Sequence, residues 1–312
     1  MESDGQSLLC LPQDVNLPFF AYGALKPGEL AYAQISDLVS GEPIAAKASG
    51  SLKVRDGLPL FEPSGSGTVR GFLLTFRPEK CMGAYDRIRR FEPKSIYRWK
   101  KLQLQTPEVY ANVLEGKKMD RGRPSDIETG SWSFREDPVF KNGLNVIEES
   151  VQSLAVLAFE SIPPEGFDWS RFFRLQMAYL LLWSAIERFA AFAYGPSLSP
   201  NAKVAAFGSD ERFLAAFERI PTRSYHEVSD SRDPGSRGQL DRLSPKDAAD
   251  YYYQVRSNLS HRGKGAWSDG EIVRLSLIEL LAIFKDILAA TESKSGTASC
   301  SSLSVLPLQV GK

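Results

Sequence analysis

Residues 169–195, WSRFFRLQMAYLLLWSAIERFAAFAYG, contain the most apolar part of the chain and decide which class of fold can form around it. A run of this length is compatible with a transmembrane helix or with the central helix of a folded domain. Glu187 and Arg188 lie within it, and a charged pair inside a bilayer is costly in free energy. The stretch therefore predicts a helix buried in a protein core, in a protein without membrane association.

The sequence after residue 140 has the apolar spacing of further helices that would pack around this one. Besides 169–195, the spacing predicts helices over residues 140–159, 209–220, 244–261 and 269–290. Ser244 is suited to cap the helix that starts there, and Pro245 fits its first turn. Residues 224–243 contain turn-forming residues without periodicity, which predicts a loop. The second half of the chain is predicted to be an all-α helical bundle.

Residues 17 to about 120 have a different sequence pattern, in which short β-like runs are separated by glycine and proline. One helical segment, residues 77–91, interrupts them, with Met82, Tyr85 and Ile88 at helical spacing. The sequence predicts a small α+β domain in the form of a mixed β-barrel. The predicted domain boundaries are 16–120 for this domain, 121–164 for a linker with a helix, 165–291 for the helical domain, and 1–15 and 292–312 for disordered ends.

The composition excludes several classes of protein. The chain has 312 residues, 43% of them hydrophobic, and a formal net charge of +0, which fits two globular domains without a global field that attracts nucleic acid. With 3 cysteines that form no CxxC pair and only 2 histidines, we expect neither a disulfide framework nor a metal site or other cofactor. The N-terminus lacks the basic and apolar regions of a signal peptide, which predicts a cytoplasmic protein.

Two features of the first domain indicate a small-molecule site. In FFAYGALKPGEL, residues 19–30, an aromatic strand breaks at Tyr22-Gly23-Ala24-Leu25, and such a break can present consecutive backbone N–H groups to an anion. Glu92 follows the helical segment and precedes Pro93, at a helix end where burial would raise its pKa and suit it to proton transfer.

The first domain resembles the γ-glutamylcyclotransferase-like family. The resemblance rests on FFAYGALKPG (19–28), VRGFLLTF (69–76), YDRIRRFEPKSIYRWKKLQL (85–104) and EVYANVLEG (108–116). It implies cyclisation of a γ-glutamyl group to 5-oxoproline without a metal. It also implies that the loop from Tyr22 to Leu25 holds the glutamyl moiety and that Glu92 carries the proton of its α-amine. Pro93 departs from the family pattern, in which glycine is common after the acid.

The segment YYYQVRSNLSHRGKG, residues 251–265, carries the candidate site of the helical half. Asn258 and His261 are three residues apart and share a helix face, and Arg256 joins them if the helix ends near His261. Arg262 and Lys264 add two cations just beyond. A histidine can move a proton and an arginine can hold phosphate oxygens, which suits metal-independent cleavage of RNA. A symmetric dimer would supply a second histidine.

The helical half resembles the HEPN superfamily, and within it the Apea-like group. The resemblance rests on WSAIERF (183–189), residues 251–265, and IVRLSLIELLAIFKDIL (272–288). It implies a bundle of four to five helices that dimerises across the motif helices, with RNA endonuclease activity in stress response or anti-phage defence. Arg256 and His261 match its RxxxxH motif, Asn258 a frequent polar position, and Glu187 an acid that faces the motif.

Three functions remain open on the sequence alone. The sequence favours a ribonuclease that uses Arg256, Asn258 and His261, fused to a domain that binds or processes a small γ-glutamyl-type molecule. The alternative is a γ-glutamyl cyclotransferase whose helical half only forms a homodimer. The third is a non-catalytic interaction protein, in which Arg256 pairs structurally with Glu187 and Glu92 pairs with Arg89 or Arg98.

Overall fold

The computed structural model describes residues 8–118, 124–154, 168–220, 227–229, 237–239, 244–262 and 270–300. Within these ranges only the backbone is described at residues 154, 229, 237–239, 246, 261–262 and 292–300. Lys264 therefore lies outside the described residues, and of His261 and Arg262 only the backbone position is known.

The first half of the chain is built on a mixed β-sheet. Its strands are β1 Phe19–Ala21, β2 Ile44–Ser49, β3 Ser51–Arg55, β4 Leu58–Glu62, β5 Thr68–Leu74, β6 Tyr97–Gln103, β7 Tyr110–Gly116 and β8 Ser125–Asp126. Five of them form one sheet in the order β2-β5-β1-β7-β6, and three form a second in the order β4-β3-β8. Only the β1–β7 pair is parallel among the pairs of these two sheets.

The core of the first domain lies between this sheet and helix α1, Cys81–Phe91. All three residues of the central strand β1 are buried, as expected for a strand covered on both faces. From α1, Tyr85 inserts against Phe19 and Trp99 with edge-to-face ring contacts at 6.5 and 5.4 Å. Met82, predicted on the apolar face of this helix, is 54% exposed, because Cys81 and Ala84 occupy the buried face instead.

The second half is helical. A π-turn at Val139–Gly143 leads into α2, Leu144–Leu154. It is followed by α3 Trp169–Tyr194, α4 Pro200–Gly208, α5 Glu211–Arg219, α6 Pro245–Arg262 and α7 Gly270–Cys300, with strands β9 Glu227–Ser229 and β10 Arg237–Gln239 between α5 and α6. None of the helices in the described ranges is both long and apolar enough to cross a membrane.

Helix α3 is the central element of the helical half. Asp168 caps its N-terminus, because the Asp168 carboxylate accepts a hydrogen bond from the backbone N–H of Arg171 (3.1 Å), and the helix packs against α2, α4, α6 and α7. The Tyr179 hydroxyl donates to the backbone carbonyl of Tyr252 on α6 (2.8 Å), and Phe189 meets Phe284 on α7 edge to face at 5.7 Å. The apolar stretch 169–195 is therefore a core helix, as its composition predicts.

The same helix also contacts the first domain. The Arg188 guanidinium donates from Nε to the buried carboxylate of Asp137 (2.7 Å) and from Nη2 to the backbone carbonyl of Asp56 (2.8 Å). Gln34 donates to the carbonyl of Ala193 (2.6 Å). Gly57, with φ +79°, lets Asp137 approach, because a Cβ there would lie 2.4 Å from the Asp137 carboxyl carbon.

The coarse prediction of a mixed α/β region followed by a helical region is confirmed, and its finer parts differ. The five-stranded sheet has β2 and β6 as edges and does not close on itself among the described strands, so the barrel is not confirmed. Strands β9 and β10 pair antiparallel inside the predicted loop 224–243. Helix α4, which was not predicted, starts at Ser199, whose hydroxyl caps the N–H of Ala202 (3.3 Å).

The structure describes part of each end that is predicted to be disordered. Residues 8–15 pack on the first domain, because Leu9 is buried in the core and Trp99 donates to the carbonyl of Cys10 (2.6 Å). The backbone of α7 continues to Cys300, since no proline interrupts the helix before Pro307. Residues 301–312 lie outside the described part of the chain.

We expect Asp137→Asn to destabilise the protein, because it leaves the Arg188 charge without a partner. Breaking a fully buried ion pair costs about 3–5 kcal/mol. Arg188 is 32% exposed and Asp137 is 1% exposed, so we expect a smaller loss. A decrease of about 2 kcal/mol in the free energy of unfolding should appear in urea titration.

The control is Glu148→Gln, which breaks the more exposed pair between Glu148 and Lys285 on α2 and α7 (2.6 Å). We expect that variant to lose at most about 1 kcal/mol. Equal unfolding midpoints for the two variants would contradict the role given to Asp137.

Candidate functional site

Glu92 lies where α1 ends. Its backbone N–H still donates to the carbonyl of Ile88 (3.0 Å), but its own backbone is extended, with φ −95° and ψ 129°. The next residue is Pro93, and proline disfavours helical backbone in the residue before it. The local sequence therefore ends the helix at Glu92 and leaves this residue at the wall of a cavity.

This cavity, called the Glu92 cavity below, has a volume of about 590 Å³, within the range of small-molecule sites. Both halves of the molecule form it. The first half contributes the end of α1 and the residues after it, and α3 with the segment after it contributes the opposite wall. The lining residues are Leu8, Leu58, Arg89, Arg90, Phe91, Glu92, Pro93, Lys94, Ser95, Lys117, Arg188, Ala191, Phe192 and Pro196.

Burial raises the pKa of the Glu92 carboxyl to about 8, because the charged form loses its hydration there. The proposed structural partners of Glu92 are engaged elsewhere. Arg89 donates from Nε to Asp86 (2.7 Å), and Arg98 donates from Nε to Glu115 (2.6 Å). No cation in the described part of the chain forms an ion pair with Glu92. Its proton is therefore held by burial alone.

Two buried tyrosines lie within the electrostatic reach of Glu92. The Tyr22 hydroxyl donates to the carbonyl of Leu114 (2.5 Å), and the Tyr97 hydroxyl donates to the carbonyl of Pro59 (2.8 Å). Burial, and then the negative charge of Glu92, raise the pKa of both phenols well above the usual value. Both tyrosines therefore stay protonated, and Glu92 is the titratable group of this cluster near neutral pH.

The loop from Tyr22 to Leu25 is close to this cluster but does not line the Glu92 cavity. Ala24 and Leu25 are buried, and Gly23 packs so closely on β4 that a Cβ would lie 2.6 Å from Cγ of Pro59. Tyr22 is therefore near enough to Glu92 for the charge of the carboxylate to raise its pKa, but it is not part of the cavity wall. The binding of a ligand by the backbone N–H groups of Gly23, Ala24 and Leu25 stays a prediction.

A buried ion pair fixes the rest of this loop. Lys26 donates from Nζ to the carbonyl of Trp132, and Glu29 accepts from the backbone N–H of Phe134 (3.0 Å). Burial lowers the pKa of Lys26 and raises that of Glu29, and their mutual attraction opposes both shifts. This pair holds the Pro-Gly turn against residues 132–134.

Sequence reasoning missed three residues of the cavity region: Tyr97, Lys117 and Arg188. Arg188 had a signal, since a charge in the middle of an apolar helix requires a partner or a function. Tyr97 and Lys117 had no such signal in the sequence. Tyr97 begins β6 and Lys117 directly follows β7, and the pairing of the strands determines which residues lie near them in space.

On α6, Arg256 is held by α3. Its Nη2 lies 3.3 Å from the Glu187 carboxylate, and its guanidinium lies over the Tyr253 ring at 5.5 Å. Asn258 accepts a hydrogen bond from Gln254 one turn earlier (3.0 Å). The structure therefore brings Glu187 and Arg256 together, as the resemblance implies.

The described part of helix α6 includes the backbone of His261. It extends from Pro245 to Arg262, so the backbone of His261 is helical. Ala248, Tyr252 and Val255 are buried on one face of this helix, and Leu259 is half-buried there. No cluster of three or more histidine, cysteine, aspartate or glutamate side chains within the described ranges is arranged to hold a metal ion.

Comparison with known proteins leaves the family of this chain open. No protein-family model matches the chain, and no curated protein matches it. A crystal structure of the uncharacterized protein PH0828 from Pyrococcus horikoshii is similar to part of it, at 19% identity. That similarity covers 38% of this chain and 91% of the other, with a TM-score of 0.30.

We expect Glu92 to make the stability of the protein fall as pH rises. The folded pKa is about 8 and the unfolded value is about 4.3, so between these values the folded state binds the extra proton. This contribution is complete below about pH 4.3 and is lost as pH rises through about 8. From pH 5 to pH 8, wild type should lose on the order of 3 kcal/mol relative to Glu92→Gln.

The measurement is the free energy of unfolding at several pH values, for wild type and for Glu92→Gln. Glu79→Gln, which removes an exposed carboxylate before α1, is the matched control and should follow wild type. Parallel curves for wild type and Glu92→Gln would mean that Glu92 is ionised in the folded protein at neutral pH.

Proposed function

We propose that the first domain is a small-molecule enzyme in which Glu92 transfers a proton. The observation that carries this proposal is a carboxyl with a pKa of about 8, in the wall of a cavity of about 590 Å³, without an ion-pair partner among the described residues. A general acid–base group works best when its pKa is near the pH at which it acts.

The reaction follows from the resemblance to γ-glutamylcyclotransferases. The α-amine nitrogen of a γ-glutamyl compound attacks its own γ-carbonyl carbon, and the amide bond to the leaving amine breaks. Glu92 takes the proton that the α-amine loses and returns it to the leaving amine, so no water or other co-reactant is consumed. Tyr22 and Tyr97 stay protonated, which leaves Glu92 as the group of this cluster that can carry the proton.

We expect purified protein to release 5-oxoproline from γ-glutamyl dipeptides, and Glu92→Gln to lower kcat/KM at least ~100-fold. Since the attack needs the ionised carboxylate, kcat/KM of wild type should rise with pH, reach half its maximum near pH 8 and level off above that pH. Glu79→Gln is the control and should keep the wild-type profile. Full activity of Glu92→Gln would refute the role of Glu92.

A second proposal concerns α6, where the helical half would cut RNA without a metal. It is supported by the position of Arg256, which lies 3.3 Å from the Glu187 carboxylate, and by the helical backbone that α6 gives both Arg256 and His261. In this reaction the 2′-oxygen attacks the adjacent phosphorus and the bond to the 5′-oxygen breaks. His261 would move the proton, Arg256 would stabilise the charged phosphorane, and Asn258 would orient the phosphate.

The basic residues Arg262 and Lys264 would bind the RNA backbone in this proposal, and a symmetric dimer through the helical half would supply a second His261. The ion pair of Arg256 with Glu187 also fits a purely structural role. A ribonuclease assay therefore separates a catalytic role of these residues from a purely structural one.

We expect wild type to cleave total RNA in EDTA and to leave 2′,3′-cyclic phosphate ends, because the 2′-oxygen is the nucleophile. His261→Ala should abolish the cleavage, since the site would lose its only titratable group near neutral pH. His226→Ala, which removes the other histidine of the chain, is the control and should cut like wild type. If all three proteins leave the RNA intact, the α6 residues are structural.

A further inference from the structure

The walls of the Glu92 cavity carry an unbalanced charge. Of the 14 residues that line it, one is an acid, Glu92, and five are cations. The cations are Arg89, Arg90, Lys94, Lys117 and Arg188. A cleft lined by one sign of charge concentrates ligands of the opposite sign. The occupant that this cavity favours is therefore anionic.

The acids behind the walls neutralise only part of this charge. Asp86 accepts from Nε of Arg89 and from Nε of Arg90, both at 2.7 Å, so one carboxylate serves two guanidinium groups. Among the described ion pairs, Arg188 is the one partner of Asp137, so this carboxylate neutralises one guanidinium group. One positive charge is left from these three arginines.

Lys117 adds a second positive charge. Its Nζ donates to the backbone carbonyl of Lys94 (2.5 Å), and no carboxylate in the described part of the chain pairs with it. A carbonyl oxygen accepts the hydrogen bond without removing the charge of the ammonium group. The backbone of Lys117 is fixed just after β7, because its N–H donates to the carbonyl of Ile96 (2.8 Å).

Arg188 faces the cavity from the other half of the molecule. Asp137 and the carbonyl of Asp56 occupy Nε and Nη2, and the guanidinium lies over the Phe192 ring at 4.8 Å. No acceptor for Nη1 occurs among the described residues. The group is therefore already oriented, and one of its nitrogens is available to a ligand.

We propose that the Glu92 cavity binds a small molecule with a carboxylate on the side away from Glu92, and that Lys117 and Arg188 bind this carboxylate. Each half of the molecule would supply one of the two cations. Phe91 and Phe192, with ring centroids 6.5 Å apart, supply apolar surface for the carbon chain between the two ends. The orientation of the ligand rests on the proposed function of Glu92, whereas the preference for an additional carboxylate does not.

The test uses two pairs of isosteric ligands that differ by one negative charge. The first pair is γ-glutamyl-glutamate and γ-glutamyl-glutamine, titrated by calorimetry into full-length Glu92→Gln so that turnover does not interfere. The second is glutarate and glutaramate, which lack the α-amine and are titrated into wild type. We expect the more anionic member of each pair to bind about 5–10-fold more tightly, and the difference to shrink as salt is added.

Lys117→Gln should remove most of this difference. Lys101→Gln, which removes an exposed cation on β6 outside the cavity, is the matched control and should keep it. Arg188→Gln is a second variant, and its thermal melting shows whether the fold survives.

Equal affinities within both pairs, or a difference that Lys117→Gln leaves intact, would overturn the proposal, and so would the absence of binding by all four compounds. A charge preference in the glutarate pair without any 5-oxoproline from γ-glutamyl peptides would support the anionic site and refute the cyclotransferase. Release of 5-oxoproline without a charge preference would support the cyclotransferase and refute the anionic site.

Discussion

The contact of Arg188 with Asp137 and with the carbonyl of Asp56 determines how α3 lies against the first domain. A guanidinium can bind a carboxylate and a carbonyl at the same time, because its donors point along fixed directions in one plane. Asp137 is 1% exposed, and without Arg188 its buried charge would keep only the hydrogen bond from the backbone N–H of Val139 (3.0 Å) among the described contacts. The wall of the Glu92 cavity that comes from α3 depends on this contact, since Ala191 and Phe192 follow Arg188 on the same helix.

The same helix supports both candidate sites. Consecutive residues of an α-helix point about 100° apart. Arg188 therefore meets the first domain while Glu187, its neighbour, meets Arg256 on α6. A charged pair in a long apolar helix is costly unless each charge has a partner, and here the partners come from two different directions. The position of α3 thus determines the geometry on both sides.

Glu92 is half-buried, and no cation among the described residues offsets the cost of its lost hydration. The carboxyl is tolerated because it keeps its proton near neutral pH, which removes most of the penalty for burying a charge. Asp86 and Glu115 show the contrasting case, because hydrogen bonds and ion pairs with arginines lower the pKa of each. Two nearby arginines are thereby used for other acids, and Glu92 is left as the group able to exchange a proton with a ligand.

Patterns that are local in the sequence predict several elements correctly: the long apolar helix, the helix that carries Arg256, the strands around β1 and β5–β7, and Glu92 at a helix end before proline. These patterns do not predict β2, because its alanines and lysine are weak strand formers; this strand pairs with six residues of β5. They also do not predict α4 or the β9–β10 hairpin. Three features become visible only in the folded chain: Arg89 and Arg98 bind other acids, Arg188 and Lys117 line the same cavity, and α3 contacts both halves. The physical reason is that periodicity and caps act between neighbours in the chain, whereas burial and charge pairing depend on residues far apart in sequence that the fold brings into contact.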